Sequence, residues 1–406
     1  MHCFTLFFTC IVVATGVITS AAAQVPPVSP STSDFQACLS RVRAQAQGSG
    51  VSATTFDRAL AGVEHDQSVI DLSNNQPEFR TPIWDYLAAL VDEERAADGK
   101  AMLKQWDQVL TQAEQRYNVD RYTIVAVWGV ESDFGKVGGG RPLVKSLATL
   151  SCSGSRQSYF RGELIATLQI LQNGDIRPDA LVGSWAGAFG HTQFMPSTFQ
   201  RLAVDMDGDG RRDIVDSVPD ALGSTANYLK RGGWVSGAGW GYEVRLPAGY
   251  RNESGRTLKR PLATWAERGI TRADGAALTG TGNAGLLLPA GSKGPAFLVF
   301  RNFDVIYSYN AAESYALAIA HLADRLRGGG PFATTWRTDD RGLSRAERRE
   351  VQRLLTEKGF DVGTPDGHIG PRTLAAVKAF QEKTGLPVIA RAGGKVLEAL
   401  HRNTPK

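Results

Sequence analysis

Apolar residues recur at helical spacing through the first part of the chain. Phe35, Cys38, Leu39 and Val42 fall on one face, and Trp84, Leu87, Leu90 and Val91 do the same, with polar positions between them. The pattern stays helical over 142–204. It changes over 233–305, where glycines and short runs such as Tyr242-Glu243-Val244-Arg245-Leu246 and Phe297-Leu298-Val299-Phe300 predict strands and loops set into a helical body. Helical spacing returns over 310–327. Gly328-Gly329-Gly330-Pro331 interrupts it, and the polar stretch 331–342 reads as a linker. Residues 343–400 form a separate compact unit. Ser344 with Glu347 gives a capping-box start, Val351, Leu354 and Leu355 make an apolar stripe, and Gly359 ends the helix. Gly370-Pro371 opens a second helix that buries Leu374, Val377 and Phe380. The pattern as a whole predicts a mainly α (α+β) protein with a small β-containing insertion.

The N-terminus follows another rule. Residues 1–23 contain no Asp, Glu, Lys or Arg, and the apolar run from Phe4 to Val17 ends in Ala21-Ala22-Ala23. This reads as a cleaved signal peptide with Gln24 starting the mature chain, followed by a disordered tail over 24–33. An uncleaved anchor is the alternative. No other apolar stretch approaches the roughly 20 residues of a membrane span. Export leaves Cys38 and Cys152 as the cysteines of the mature chain, in a compartment that permits a disulfide between them; two separate buried thiols are the alternative.

Composition narrows the class. The chain has 406 residues, 42% hydrophobic and 21% charged, which excludes intrinsic disorder and leaves room for two or three domains. A net charge of +4 gives no nucleic-acid footprint. The histidines are scattered without an H-E-x-x-H pattern, which argues against a catalytic zinc.

Three stretches carry candidate chemistry. In Tyr122–Gly135, Ile124, Val125, Val127, Trp128 and Val130 make a helix apolar nearly all round, with Glu131 at its C-terminal end. An apolar setting and the negative end of the helix dipole both disfavour an ionised carboxyl. A carboxylic acid still protonated near neutral pH can protonate a glycosidic oxygen. An ordinary salt bridge at a helix end is the competing reading. In Gly183–Phe199, small residues allow close backbone approach to a ligand or to another helix. Ser184 and Gln193 offer neutral hydrogen bonds beside Phe189, Phe194 and Met195. In Val305–Tyr315, Tyr309 and Tyr315 flank Asn310, which is placed as the N-cap of a helix start.

G-V-E-S-D-F-G at 129–135, G-A-F-G-H-T-Q-F-M-P-S at 187–197 and Y-S-Y-N at 307–310, in that order, resemble the lytic murein transglycosylase B family (glycoside hydrolase family 103). The resemblance covers roughly 34–327, inside a catalytic domain placed at 34–330. It implies a lysozyme-like helical core with an added helical domain and the small β-containing insertion. The implied activity is non-hydrolytic cleavage of the β-1,4 bond between N-acetylmuramic acid and N-acetylglucosamine in peptidoglycan, leaving a 1,6-anhydro ring. The family's single acid/base falls on Glu131. Its substrate contacts fall on Ser184, Gln193, Tyr309 and Asn310, with Tyr228 of A-N-Y-L, Tyr315 and, more loosely, Tyr86 at aromatic positions. No cofactor is needed for that reaction. Asp133 is the competitor for a second carboxylate, as in a lysozyme-type hydrolase, but at i+2 on a continuing helix it would leave the face of Glu131.

Asp205–Asp216, D-M-D-G-D-G-R-R-D-I-V-D, follows EF-hand spacing with Asp in place of Glu at the last position. Asp220 could serve in place of Asp216 at that last position, and the resemblance supports Asp205, Asp207, Asp209 and the Arg211 carbonyl as ligands of a structural Ca²⁺. A solvated acidic turn held by Arg211 and Arg212 is the alternative. Residues 343–400, with D-G-x-x-G-x-x-T at Asp366, Gly367, Gly370 and Thr373, resemble the three-helix peptidoglycan-binding module, tethered to raise local substrate concentration. The expected partner is the peptidoglycan glycan strand, met by a periplasmic monomer without a transmembrane segment in the mature chain. A non-catalytic wall scaffold is the competing function.

Overall fold

The structure is a computed structural model that describes residues 31–74, 81–280 and 282–402. The expected signal peptide and most of the expected tail lie outside these residues. The tail's last positions do not behave as a tail: the Ser31 hydroxyl accepts from the Asp34 N–H and caps a helix over Thr32–Gly48.

That helix buries Phe35, Cys38, Leu39, Val42 and Ala46, every third or fourth residue. They pack with Val69, Ile70, Leu147, Leu150, Phe160, Leu164 and Leu168 into one of the cores. Cys38 and Cys152 join across it as a disulfide, with Cα atoms 5.8 Å apart.

The larger core forms around two helices, Arg121–Ser132 and Glu313–Leu326. Both are apolar on nearly every side, so both lie inside the body. They approach closely because Gly129 carries no side chain. A Cβ there would lie 2.7 Å from the Phe134 ring and 3.2 Å from Leu322.

The β-containing insertion is a five-stranded antiparallel sheet. Its spatial order is Gly255–Pro261, Asn283–Leu287, Ala296–Val299, Gly241–Arg245 and Thr271–Arg272. Leu286 and Leu298 face Val244 and Trp265 in the sheet's own core, whereas Leu287, Phe297 and Val299 join the main core. Burial on both faces explains why 297–300 reads as one apolar run rather than an alternation. Among the described residues no helix is long and apolar enough to cross a membrane.

Two further expectations are corrected. Residues 301–310 are a helix, Arg301–Asn310, built on buried Phe303, Val305 and Ile306. Asn310 is therefore its last residue, not an N-cap. The chain turns at Ala311, φ 47°, and Ala312 precedes the next helix.

The stretch 331–342 is a fastened strap rather than a free linker. Phe332 stacks on His321 at 3.8 Å, and the Ala333 and Thr334 N–H groups donate to the Glu243 carboxylate at 2.6 and 2.7 Å. Aromatic side chains among polar ones anchor it, since Phe332 and Trp336 both pack on the main core. The three helices that follow, Arg345–Glu357, Pro371–Thr384 and Gly394–Arg402, enclose their own core, with the Ser344–Glu347 capping box in place. This module is docked on the helical body. Arg345, Arg349 and Arg391 pair with Asp133, Glu94 and Asp85.

Candidate active site

Asp120 caps the 121–132 helix by accepting from the Thr123 N–H, and the helix ends where Asp133 turns left-handed, φ 51°. Glu131 occupies the last turn and is half-buried. Burial pushes its carboxyl up to about 8, against an opposing pull from the hydroxyl of Tyr315, which donates to Oε1. The group is mostly protonated at neutral pH.

Aromatic rings build a wall away from this carboxyl. Tyr315 stacks on Tyr309 with centroids 6.2 Å apart, and Tyr309 lies 4.5 Å from Tyr228. Phe194 supports both, at 5.8 and 5.9 Å. Hydroxyl bonds fix the rings: Tyr309 donates to the Thr192 carbonyl at 2.7 Å and Tyr228 to the Ser308 carbonyl at 2.8 Å. Burial, and then the neighbouring Glu131, raise the phenols of Tyr309 and Tyr315 well above their ordinary value, so both stay neutral donors. Tyr86 is close enough to Tyr315 to add to that effect.

The other expected contacts sit in the loop after the short strand Val182–Gly183. The Ser184 hydroxyl accepts from the Ala188 N–H at 3.0 Å and closes a turn. Gln193 adopts φ 49°, and its amide nitrogen donates to the Gly190 and Gly138 carbonyls at 2.8 and 3.2 Å. The small residues here serve backbone packing: a Cβ on Gly183 would lie 2.2 Å from the Ala188 carbonyl oxygen. Asn310 is exposed at its helix end.

Sequence reasoning missed the clamp between this loop and the helix. Trp128 Nε1 donates to His191 Nδ1 at 3.0 Å, and the Ser132 hydroxyl donates to the His191 carbonyl at 2.5 Å. Burial lowers the His191 pKa, which keeps the ring neutral and able to accept. The available signal was Trp128 itself, because a buried indole N–H needs an acceptor.

Asp133 is committed to two guanidinium groups. Its buried carboxylate accepts from Arg345 Nη2 at 2.8 Å, and Arg95 Nη2 lies 3.8 Å away.

In the acidic loop, Asp205, Asp207 and Asp209 bring oxygens within 4.8 Å of one another. Asp220 is not part of that cluster. It accepts from the Met206, Asp207 and Asp213 N–H groups, so its oxygens bracket the loop's backbone instead. The Arg211 side chain pairs with Asp209 and Asp213, and Arg212 with Asp175.

Comparison with known proteins gives a consistent result. Residues 34–324 match the Transglycosylase SLT domain, and residues 344–400 match the peptidoglycan binding domain. The chain is 32% identical over 295 residues to membrane-bound lytic murein transglycosylase B of Escherichia coli K12, covering 66% of this chain and 77% of that one. SltB3 of Pseudomonas aeruginosa, solved in complex with NAG-anhNAM-pentapeptide, is 44% identical with TM-score 0.73, over 90% of this chain and 99% of that chain. The Escherichia coli lytic transglycosylase Slt35, solved in complex with calcium, is 31% identical with TM-score 0.63, over 72% and 92%.

Proposed function

The chain belongs to the transglycosylase SLT family and is a lytic transglycosylase of peptidoglycan, and from this we propose that Glu131 alone serves as acid and then base, releasing a 1,6-anhydro-N-acetylmuramic acid product. The observation that carries the reading is a carboxyl held neutral to about pH 8 by burial and oriented by Tyr315. Protonated Glu131 donates to the glycosidic oxygen as the C1–O bond breaks. The substrate's own acetamido group supports the positive charge at C1. The Glu131 carboxylate then takes the proton of the C6 hydroxyl while O6 bonds to C1. Protons balance, no water is consumed, and no second enzyme carboxylate is needed.

A lysozyme-type hydrolase would require Asp133, whose carboxylate is already paired with Arg345 and Arg95. Tyr228 and Tyr309 offer flat faces to the sugar rings, with Ser184, Gln193, Tyr86 and Asn310 as polar contacts around them; Tyr315, expected among the substrate contacts, is itself buried and serves to orient Glu131.

Tyr315→Phe tests the acid directly. The Tyr315 bond favours the carboxylate, so its loss raises the Glu131 pKa further. The alkaline limb of activity on soluble glycan moves to higher pH, while the maximal rate falls about tenfold or more because the carboxyl loses its anchor. A limb that stays in place contradicts the assignment.

The acidic loop suits a hard cation, since three carboxylates crowd one spot and repel one another without one. We propose that Asp205, Asp207, Asp209 and the Arg211 carbonyl hold a structural Ca²⁺, which steadies the loop before the 218–231 helix and takes no part in the chemistry. Saturating calcium then stabilises the fold by about 2–3 kcal/mol, as for any ligand at roughly 100 times its Kd. Chelator reverses the rise in melting temperature, and Asp207→Ala abolishes it. Identical melting with calcium and chelator rejects the site.

We propose further that residues 1–23 direct export to the periplasm, where the substrate lies and where the Cys38–Cys152 disulfide is stable.

A further inference from the structure

Beginning two residues after Glu131, two consecutive non-glycine residues adopt left-handed backbone, Asp133 at φ 51° and Phe134 at φ 59°. Such conformations persist where surrounding groups over-determine them. Phe134 is held from inside the catalytic domain, edge-on to Trp128 at 5.7 Å. Asp133 is held from outside it. Its carboxylate accepts from Arg345 Nη2 at 2.8 Å, and Arg345 opens the first helix of the peptidoglycan-binding module.

Arg345 is buried and used at three points. Its other guanidinium nitrogen, Nη1, reaches Asp98 at 3.4 Å. Its backbone N–H donates to Asp92 Oδ2 at 2.7 Å, while Asp92 Oδ1 caps the 93–105 helix through the Arg95 N–H at 2.8 Å. Arg95 in turn donates to the Gly129 carbonyl, two residues before Glu131 on the same helix, and lies 3.8 Å from Asp133. The end of the Glu131 helix is thus gripped by a buried network of alternating charge, one member of which belongs to the other module.

We infer that Arg345 is a positioning residue for Glu131, so that the wall-binding module completes the catalytic domain rather than only tethering it to substrate. This rests on the assignment of Glu131 as the acid. Without Arg345, the Asp133 turn loses its nearest cation and the Glu131 carboxyl leaves its place beside Tyr315. Small displacements of a catalytic group are costly in rate.

The test uses the full chain and two substrates, isolated peptidoglycan and a short soluble glycan of alternating N-acetylglucosamine and N-acetylmuramic acid. Arg345→Met lowers kcat on the soluble glycan about 10- to 100-fold with KM nearly unchanged. Arg345→Lys recovers part of it, since it keeps the charge but not the two-pronged reach. Arg349→Ala, which removes the neighbouring exposed pair with Glu94, leaves kcat on the soluble glycan within about twofold.

Should Arg345→Met fail to fold, the pair Asp133→Asn/Arg345→Met removes the lone Asp133 carboxylate, leaves Arg95 its bond to the Gly129 carbonyl, and still shows the lowered kcat. Wild-type kcat on the soluble glycan in Arg345→Met or in the double variant, with loss confined to intact wall, overturns the inference and leaves the module as an anchor. An active Glu131→Gln would instead overturn the assignment of the acid beneath it.

Discussion

Glu131→Gln abolishes wall lysis and at the same time stabilises the protein. The amide keeps size and can still accept from Tyr315, so the surrounding packing is preserved while the transferable proton is lost. Removing a general acid and base costs about 10²–10⁴-fold in rate. The stability gain has a defined pH course. Folding raises this carboxyl from 4.5 to about 8, so wild type carries no penalty below pH 4.5 and an increasing one as pH rises towards 8. Each tenfold change in an acid constant is about 1.4 kcal/mol, which makes the full span a few kcal/mol. The variant and wild type should therefore unfold together at pH 4 and diverge up to pH 8, the variant being the more stable. Denaturant midpoints across that range check the course. Parallel curves would mean that Glu131 is not held neutral by burial.

Loss of the disulfide is the second large effect, and it separates stability from chemistry. Cys38 and Cys152 are 114 residues apart, and opening a loop of that size costs roughly 3–5 kcal/mol through the entropy returned to the unfolded chain. The bond ties the 32–48 helix to the 143–152 helix, within a core that does not contain Glu131. Cys38→Ala/Cys152→Ala, or reductant, should lower the denaturant midpoint substantially while activity at low temperature stays near wild type. A midpoint indifferent to reductant would contradict this.

Helices were legible wherever one stripe is buried and the other wet, as at Phe35–Val42 and in the capping-box helix after Ser344. The Glu131 helix stood out for the opposite reason: it is apolar all round, so a carboxyl at its end was conspicuous. What could not be read is what distant parts of the chain do to that carboxyl. Its hydroxyl partner, Tyr315, lies 184 residues away, and the cation on Asp133 lies 212 residues away. No local pattern encodes either meeting. The 301–310 helix was misread because its apolar face follows directly on strand-like 297–300, which hides the change of period. The strap at 331–342 was misread because glycine and proline signal a break in the helix but not whether Phe332 finds a pocket. Asp220 fitted the spacing of a ligand, but its oxygens went to backbone N–H groups instead.

The most direct test of a lone carboxyl working without water is the mass of the sugars released from isolated peptidoglycan in oxygen-18-enriched water. The account predicts products ending in an anhydro ring, lighter by one water than hydrolysis products and free of the heavy isotope, and no such products from Glu131→Gln. Products carrying oxygen-18 at a reducing end, or undiminished anhydro product from the Gln variant, would contradict it.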